Sequence, residues 1–308
     1  MFKGSNVALV TPFKDNKLDE ESYIKLINFH LENGTHGLVP AGTTGESPTL
    51  SHKEHEKVIE LCINEAKGKI PVIAGTGSNS TEEAINLTKH AEKAGADGAL
   101  VVTPYYNKPT QEGLYEHYKA INDNCGIPII VYNIPGRSVI DVSVDTMARM
   151  FELKNIAGVK DATGILERVD QHKNKMGSEF IQLTGEDGLA FEYNKRGGVG
   201  CISVTANVAP KLCSEMQSLS TSGDQDKISQ AEKIDSSLQP LHKSLFIESN
   251  PSPVKYAAKL LNLCDDAVRL PLVKIMDTTK QEVEKALKIA KLINEEKNLK
   301  GFKNHNIK

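Results

Sequence analysis

Apolar residues come in short runs separated by longer amphipathic segments. The runs are NVALV (6–10), GLVP (37–40), PVIAG (71–75), GALVVT (98–103), PIIVYN (128–133), IAGVK (156–160), FIQLT (180–184) and GCISV (200–204). Several are apolar without alternation, as strands buried on both faces of a parallel sheet are. Between the runs the period becomes helical. After Asp19, Ile24, Ile27 and Leu31 share a face, and Gly34 supplies a stop. Ala84, Leu87, Ala91 and Ala94 share another face before Gly95. Ser51 with Glu54, and Ser80 with Glu83, have capping-box spacing. Strand–helix units repeated eight times, ending near residue 222, predict an α/β chain closed as a (β/α)8 TIM barrel. An open doubly wound sheet is the alternative, but no GxGxxG follows the first run. The polar stretch STSGDQDK (220–227) breaks the pattern. Only helical periodicity follows, over roughly 225–247, 253–262 and 279–297. The expected division is a barrel over 1–224 and a C-terminal helical region over 225–308 that ends in a polar tail.

Composition narrows the partners. With 308 residues, 39% hydrophobic and 25% charged, the chain has the make-up of a globular protein large enough for a substantial core. A net charge of −3 and no basic block give no reason to expect nucleic acid. The lysines near the end (Lys297, Lys300, Lys303, Lys308) are spread through a polar stretch and read as a tail. The five cysteines (Cys62, Cys125, Cys201, Cys213, Cys264) are scattered and form no CxxC pair. They read as reduced thiols, which points to the cytoplasm. No run approaches the length of a membrane span, and the N-terminus lacks a signal-peptide pattern.

Catalysis in such barrels gathers at the C-terminal ends of the strands. There the chain places AGTTGES with Thr43 and Thr44, TPYYNKP with Tyr105 and Tyr106, Tyr132 followed by NIPGR with Arg137, Lys160, Gly185 and, near the last run, Ile202. A lysine at a barrel mouth is partly desolvated, which favours the neutral amine, a nucleophile that forms Schiff bases with carbonyl carbon. Tyrosine and threonine hydroxyls both donate and accept, as the proton transfers of a carbinolamine require. Glycine-flanked Thr43 and Thr44 would present backbone N–H groups to a small carboxylate. Each residue alone has a plainer reading: a surface lysine, a core tyrosine, an ordinary turn, a surface ion pair. Their common position at one end of the barrel favours chemistry.

The motifs GTTGES, TPYYNKPTQEGLYEHY, YNIPGR, GVKDAT and ISVTANVAP occur in that order from about Phe2 to Ile293. Together they resemble the dihydrodipicolinate synthase / N-acetylneuraminate lyase family. The resemblance implies a pyruvate-handling (β/α)8 enzyme that works through a lysine Schiff base and uses no separate cofactor or metal. It gives Lys160 the Schiff base and Tyr132 a position over it. It has Thr44 linking Tyr132 to Tyr106, the latter reaching the site of a neighbouring subunit. Thr43 and Thr44 would hold the pyruvate carboxylate, with Gly185 and the Ile202 backbone lining the pocket. Arg137 would meet the carboxylate of aspartate semialdehyde, since a guanidinium suits a second carboxylate. The implied reaction is the condensation of pyruvate with aspartate semialdehyde to 4-hydroxy-tetrahydrodipicolinate, the first committed step toward diaminopimelate and lysine. A homotetramer built as a dimer of dimers is the implied assembly. An aldolase or lyase acting on a sugar-derived 2-oxo acid is the alternative, and the members of that kind lack an arginine after YNIP. A non-catalytic metabolite-binding member would be expected to have lost the lysine or a relay hydroxyl, and all are present.

A second group has a plain reading from its residues alone. His52 and His55 lie one turn apart on a predicted helix, with no third ligand at metal-binding spacing, so they read as surface histidines. The resemblance places Ser47, Pro48, His52, His55, Asn79, Glu83 and Tyr105 at the site where L-lysine inhibits sensitive members. Pro48 stands where a small residue such as alanine is expected.

Overall fold

The computed structural model describes residues 2–294. The eight apolar runs are eight parallel strands. They are β1 (Gly4–Ala8), β2 (Gly37–Val39), β3 (Ile73–Gly75), β4 (Gly98–Val102), β5 (Ile129–Asn133), β6 (Ile156–Asp161), β7 (Ile181–Thr184) and β8 (Gly200–Ser203). Their hydrogen-bonded order is β2-β1-β8-β7-β6-β5-β4-β3. A parallel bridge between Leu38 and Val72 joins the two ends, which closes the barrel expected from the sequence. A small antiparallel hairpin, Phe13–Lys14 with Lys17–Leu18, follows β1 and was not anticipated.

The helices, in chain order, are α1 (Glu20–Glu32), α2 (His52–Ala66), α3 (Thr81–Ala94), α4 (Gln111–Asn122), α5 (Pro135–Ser138), α6 (Val144–Phe151), α7 (Glu167–Met176), α8 (Ala190–Lys195), α9 (Pro210–Ser220), α10 (Gln225–Ser244), α11 (Ser252–Leu260) and α12 (Asp277–Ile289). Asp19 caps α1 by accepting from the Ser22 N–H at 3.1 Å, and Gly34, at φ 75°, turns the chain beyond it. Ser51 and Glu54 form the reciprocal capping box that opens α2. At α3 the box is only half made. Ser80 accepts from Glu83 N–H at 3.4 Å, but the Glu83 carboxylate turns to Ser78 and His52, and Ser80 N–H bonds Ser78 instead. The helix expected to reach residue 297 stops at Ile289, where Ala290 caps it and Lys291 takes a left-handed φ of 57°. Residues 295–297 and the lysines of the tail lie outside the described residues.

Alternation along the strands sorts the core. Phe2, Ala8, Val39, Ile73, Leu100, Ile130, Leu183 and Ile202 fill the lumen. Val101, Ile129, Val131 and Val159 face outward onto α4 and α6. Leu238, Leu241, Val254 and Leu287 of the C-terminal helices share one core with Val7, Tyr23, Leu26 and Val58 of the barrel side. That shared core brings the segment after α10 across the mouth where β1 and β2 end. Among the described residues no helix is long and apolar enough to cross a membrane.

Candidate active site

Lys160 and Tyr132 meet because of register. Tyr132 of β5 pairs with Lys160 of β6, and both point into the lumen. The pairing slips by one residue between Ile129 and Ile130, so Gly158 and then Lys160 take the inward positions opposite Ile130 and Tyr132. Lys160 is 6% exposed. Its Nζ lies 4.0 Å from the centroid of the Tyr132 ring, and among the described residues it makes no hydrogen bond or ion pair. A buried amine without a carboxylate partner is costly for a structural lysine. Neighbouring Asp161 does not neutralise it. That carboxylate points outward, accepts from Thr163 and lies 3.2 Å from the Arg168 guanidinium.

Gly185 lies at the end of β7, directly under the lysine. A Cβ there would come within 2.9 Å of Lys160 Cε and within 2.9 Å of Ala162 Cβ. Gly185→Ala is therefore expected to push the amine off its line and lower kcat about 10–100-fold. The melting temperature should change by only a few degrees. Unchanged turnover would mean the lysine has room that the structure does not show.

The loop after β2 carries Thr43 and Thr44. It folds back on itself through Glu46 N–H to Thr43 O at 3.1 Å and Ser47 N–H to Gly42 O at 3.3 Å. A 3-10 turn, Ser47–Thr49, intervenes before α2, so the two threonines do not sit on the helix start itself. Among the described residues their N–H groups donate to no protein acceptor, which leaves them for an anion. Thr43 lines a cavity of about 400 Å³ together with Val102, Ile134 and Arg137. The Arg137 guanidinium is exposed on α5 and has no ion-pair partner among the described residues. Ile202 is fully buried in the lumen beside Tyr132.

The expected relay is only partly assembled within one chain. Thr44, 3% exposed, accepts from Asn250 Nδ2 at 2.9 Å. Among the described residues the Tyr132 hydroxyl has no hydrogen bond. Tyr106 points away from its own barrel, 89% exposed, with a left-handed φ of 76°. Two groups escaped sequence reasoning. Asn250 arrives from the C-terminal region, far along the chain. Glu186 directly follows Gly185, and its position after a strand end was the available signal. Burial pushes the Glu186 carboxyl above its ordinary range and the charge of Asp187 adds to this, while Lys160 and Arg137 oppose it.

The second group does gather. Ser47, Pro48, His52, His55, Glu83 and Tyr105 line the same cavity as Thr43 and Arg137. His52 Nε2 lies 2.8 Å from Glu83 Oε1, and Ser78 donates to the other carboxylate oxygen. Those two contacts, Ser78 first, hold the Glu83 carboxyl below its usual range. Asn79 Nδ2 donates to the Tyr105 carbonyl at 3.1 Å. His55 is buried rather than on the surface. Its Nε2 meets the Gly75 carbonyl at 2.8 Å, which makes Nε2 the protonated nitrogen and leaves Nδ1 as a buried acceptor without a partner. Burial lowers the His55 pKa. Among the described residues no group of three or more His, Cys, Asp or Glu is placed to hold a metal ion.

The family model described as the dihydrodipicolinate synthetase family matches residues 1–290. The chain belongs to that family. A 4-hydroxy-tetrahydrodipicolinate synthase of Pelagibacter ubique (strain HTCC1062) is 72% identical over 293 residues, 95% of this chain and 100% of the relative. Among solved structures, a chloride-inhibited dihydrodipicolinate synthase from Acinetobacter baumannii, complexed with pyruvate, is 47% identical. It superposes with a TM-score of 0.92, covering 95% of this chain and 100% of that one. The synthase of Cyanidioschyzon merolae with lysine bound is 36% identical, with a TM-score of 0.91 over 95% and 99% of the two chains. The family assignment carries a Schiff base to pyruvate on a lysine, with no separate cofactor.

Proposed function

We propose that this chain condenses pyruvate with aspartate semialdehyde to 4-hydroxy-tetrahydrodipicolinate through a Schiff base on Lys160. The observation that carries the reading is the Lys160 amine, buried at the barrel mouth, without an ion pair among the described residues and seated against the Tyr132 ring. Attack of its neutral Nζ on the pyruvate C2 forms a carbinolamine, and loss of water gives the imine. The free N–H groups of Thr43 and Thr44 receive the pyruvate carboxylate. Deprotonation of the pyruvate methyl carbon gives an enamine, whose carbon attacks the semialdehyde carbonyl; the semialdehyde's own amino group then adds to the regenerated imine carbon, which closes the ring and expels the Lys160 amine. Arg137 orients that second substrate through its carboxylate. Tyr132 and Thr44 move the protons, and Tyr106 completes the relay of a neighbouring subunit in a homotetramer. The outward Tyr106 supports that assembly, and a monomer by sedimentation at assay concentration would contradict it. The free cysteines support a cytoplasmic setting. Turnover, coupled to an NAD(P)H-dependent reductase acting on the product, tests the reaction. Robust turnover with the semialdehyde and none with sugar-derived 2-oxo acids is expected, and the reverse would overturn it.

The second group supports feedback inhibition by L-lysine. Glu83 offers a carboxylate to an ammonium group in the cavity that His55 also lines. Glu83→Ala is expected to weaken lysine inhibition at least about tenfold while uninhibited turnover stays within about twofold. Because the Glu83 carboxyl is held below its usual range, it stays ionised as pH falls. Inhibition should therefore persist to about pH 5. Unaltered inhibition in the variant would remove Glu83 from the site.

A further inference from the structure

The segment after α10 grips the loop of residues 42–49 at three points. Asn250 Nδ2 donates to Thr44 Oγ1 at 2.9 Å, Lys255 Nζ meets Glu46 Oε1 at 2.5 Å, and Arg269 donates from Nη1 to the Thr49 carbonyl at 2.9 Å. All these partners lie more than 200 residues away in sequence. Two of the three grips use charge. The third joins two neutral side chains and falls on the one residue of the loop with a relay hydroxyl.

The Asn250 amide is 6% exposed, and its Oδ1 has no hydrogen-bond partner among the described residues. A buried carbonyl left without a donor costs stability, so the side chain is not placed for stability alone. A threonine hydroxyl has one proton and two acceptor lone pairs. Because the amide donates to Oγ1, it occupies one lone pair and leaves the Thr44 proton for a different acceptor. Asn250 also fixes the χ1 of Thr44, since a rotated hydroxyl would lose this bond.

We propose that Asn250 is a positioning residue for the reaction: it holds the Thr44 hydroxyl in place and sets its direction, so that Thr44 donates onward into the relay. This rests on the reading of Thr44 as a relay hydroxyl. It makes the C-terminal region part of the catalytic apparatus, acting on the substrate only through Thr44.

A double-mutant cycle tests it on the full-length protein. Thr44→Val keeps the shape and removes the hydroxyl, and Asn250→Ala removes the amide. Asn250→Ala is expected to lower kcat about 10–30-fold and to leave the KM for pyruvate within about threefold. In the Thr44→Val background the same change should cost less than about twofold, because the hydroxyl it serves is gone. Equal losses in both backgrounds would mean that Asn250 acts on the fold or on another group, which overturns the inference while leaving Thr44 in the relay. A Thr44→Val enzyme with normal kcat would remove the relay reading and the inference together. Polarity has its own readout. In Asn250→Asp the new carboxylate only accepts, so it takes the Thr44 proton until it is itself protonated and can donate. The kcat of this variant relative to wild type should rise as pH falls, and a pH-independent ratio would contradict the assigned direction.

Discussion

Lys160→Ala is expected to lose turnover by at least about 10⁴-fold while folding normally. Neither Lys255 nor Arg137 can take over. Lys255 is sealed against Glu46, and Arg137 is a guanidinium. Removing the Lys160 side chain also removes a buried amine that has no ion-pair partner among the described residues, so the cost to stability should be small. Lys160→Met, which refills the space beside the Tyr132 ring, should be as inactive and at least as stable as the alanine variant. Stopped turnover with an unchanged melting curve is the expected pair of results. Residual turnover above about one per cent would move the nucleophile elsewhere.

The second large effect belongs to the loop clamp. Lys255 and Glu46 are both fully buried, and their ion pair joins α11 to the loop that carries Thr44. Burial pushes the Lys255 ammonium down, and the adjacent Glu46 opposes this. Lys255 Nζ also donates to the Ala267 carbonyl at 2.7 Å, and Arg269 N–H donates to the other Glu46 oxygen at 3.1 Å. Both cations lie against the Phe13 ring, with Lys255 Nζ 4.3 Å and Arg269 Cζ 4.2 Å from its centroid. Lys255→Met keeps the volume but strands the Glu46 carboxylate in the core, which costs about 3–5 kcal/mol. Adding Glu46→Gln should recover most of that loss, because no buried charge is then left alone. Denaturant unfolding of the two variants measures both numbers. A single variant within about 1 kcal/mol of wild type would mean that water reaches the pair.

The strands were legible because a lumen-and-shell barrel needs near-continuous apolar runs, and all eight lie where the runs are. Helix starts were legible wherever the cap is local, as at Asp19 and Ser51. The start of α3 at Ser80 was legible too, but not the half-made box there. Glu83 has the sequence spacing of a cap, but Ser78 and His52 claim its carboxylate. His55 looked like a surface histidine because its burial depends on the Gly75 carbonyl of β3. The mouth of the barrel was legible as a set of residue types following strands. What could not be read was the grip of Asn250, Lys255 and Arg269 on residues 44–49. Such contacts leave no period and no motif; they exist only once the C-terminal helices share the barrel's core.

The proposed catalysis stands on one covalent bond, between Lys160 Nζ and C2 of pyruvate. The most direct measurement is borohydride reduction of the enzyme in pyruvate, followed by proteolysis and mass spectrometry of the peptides. One reduced pyruvate per chain, located on Lys160 and absent without pyruvate, is the expected result. An adduct on another lysine, or none in an enzyme that still turns over, would contradict the account.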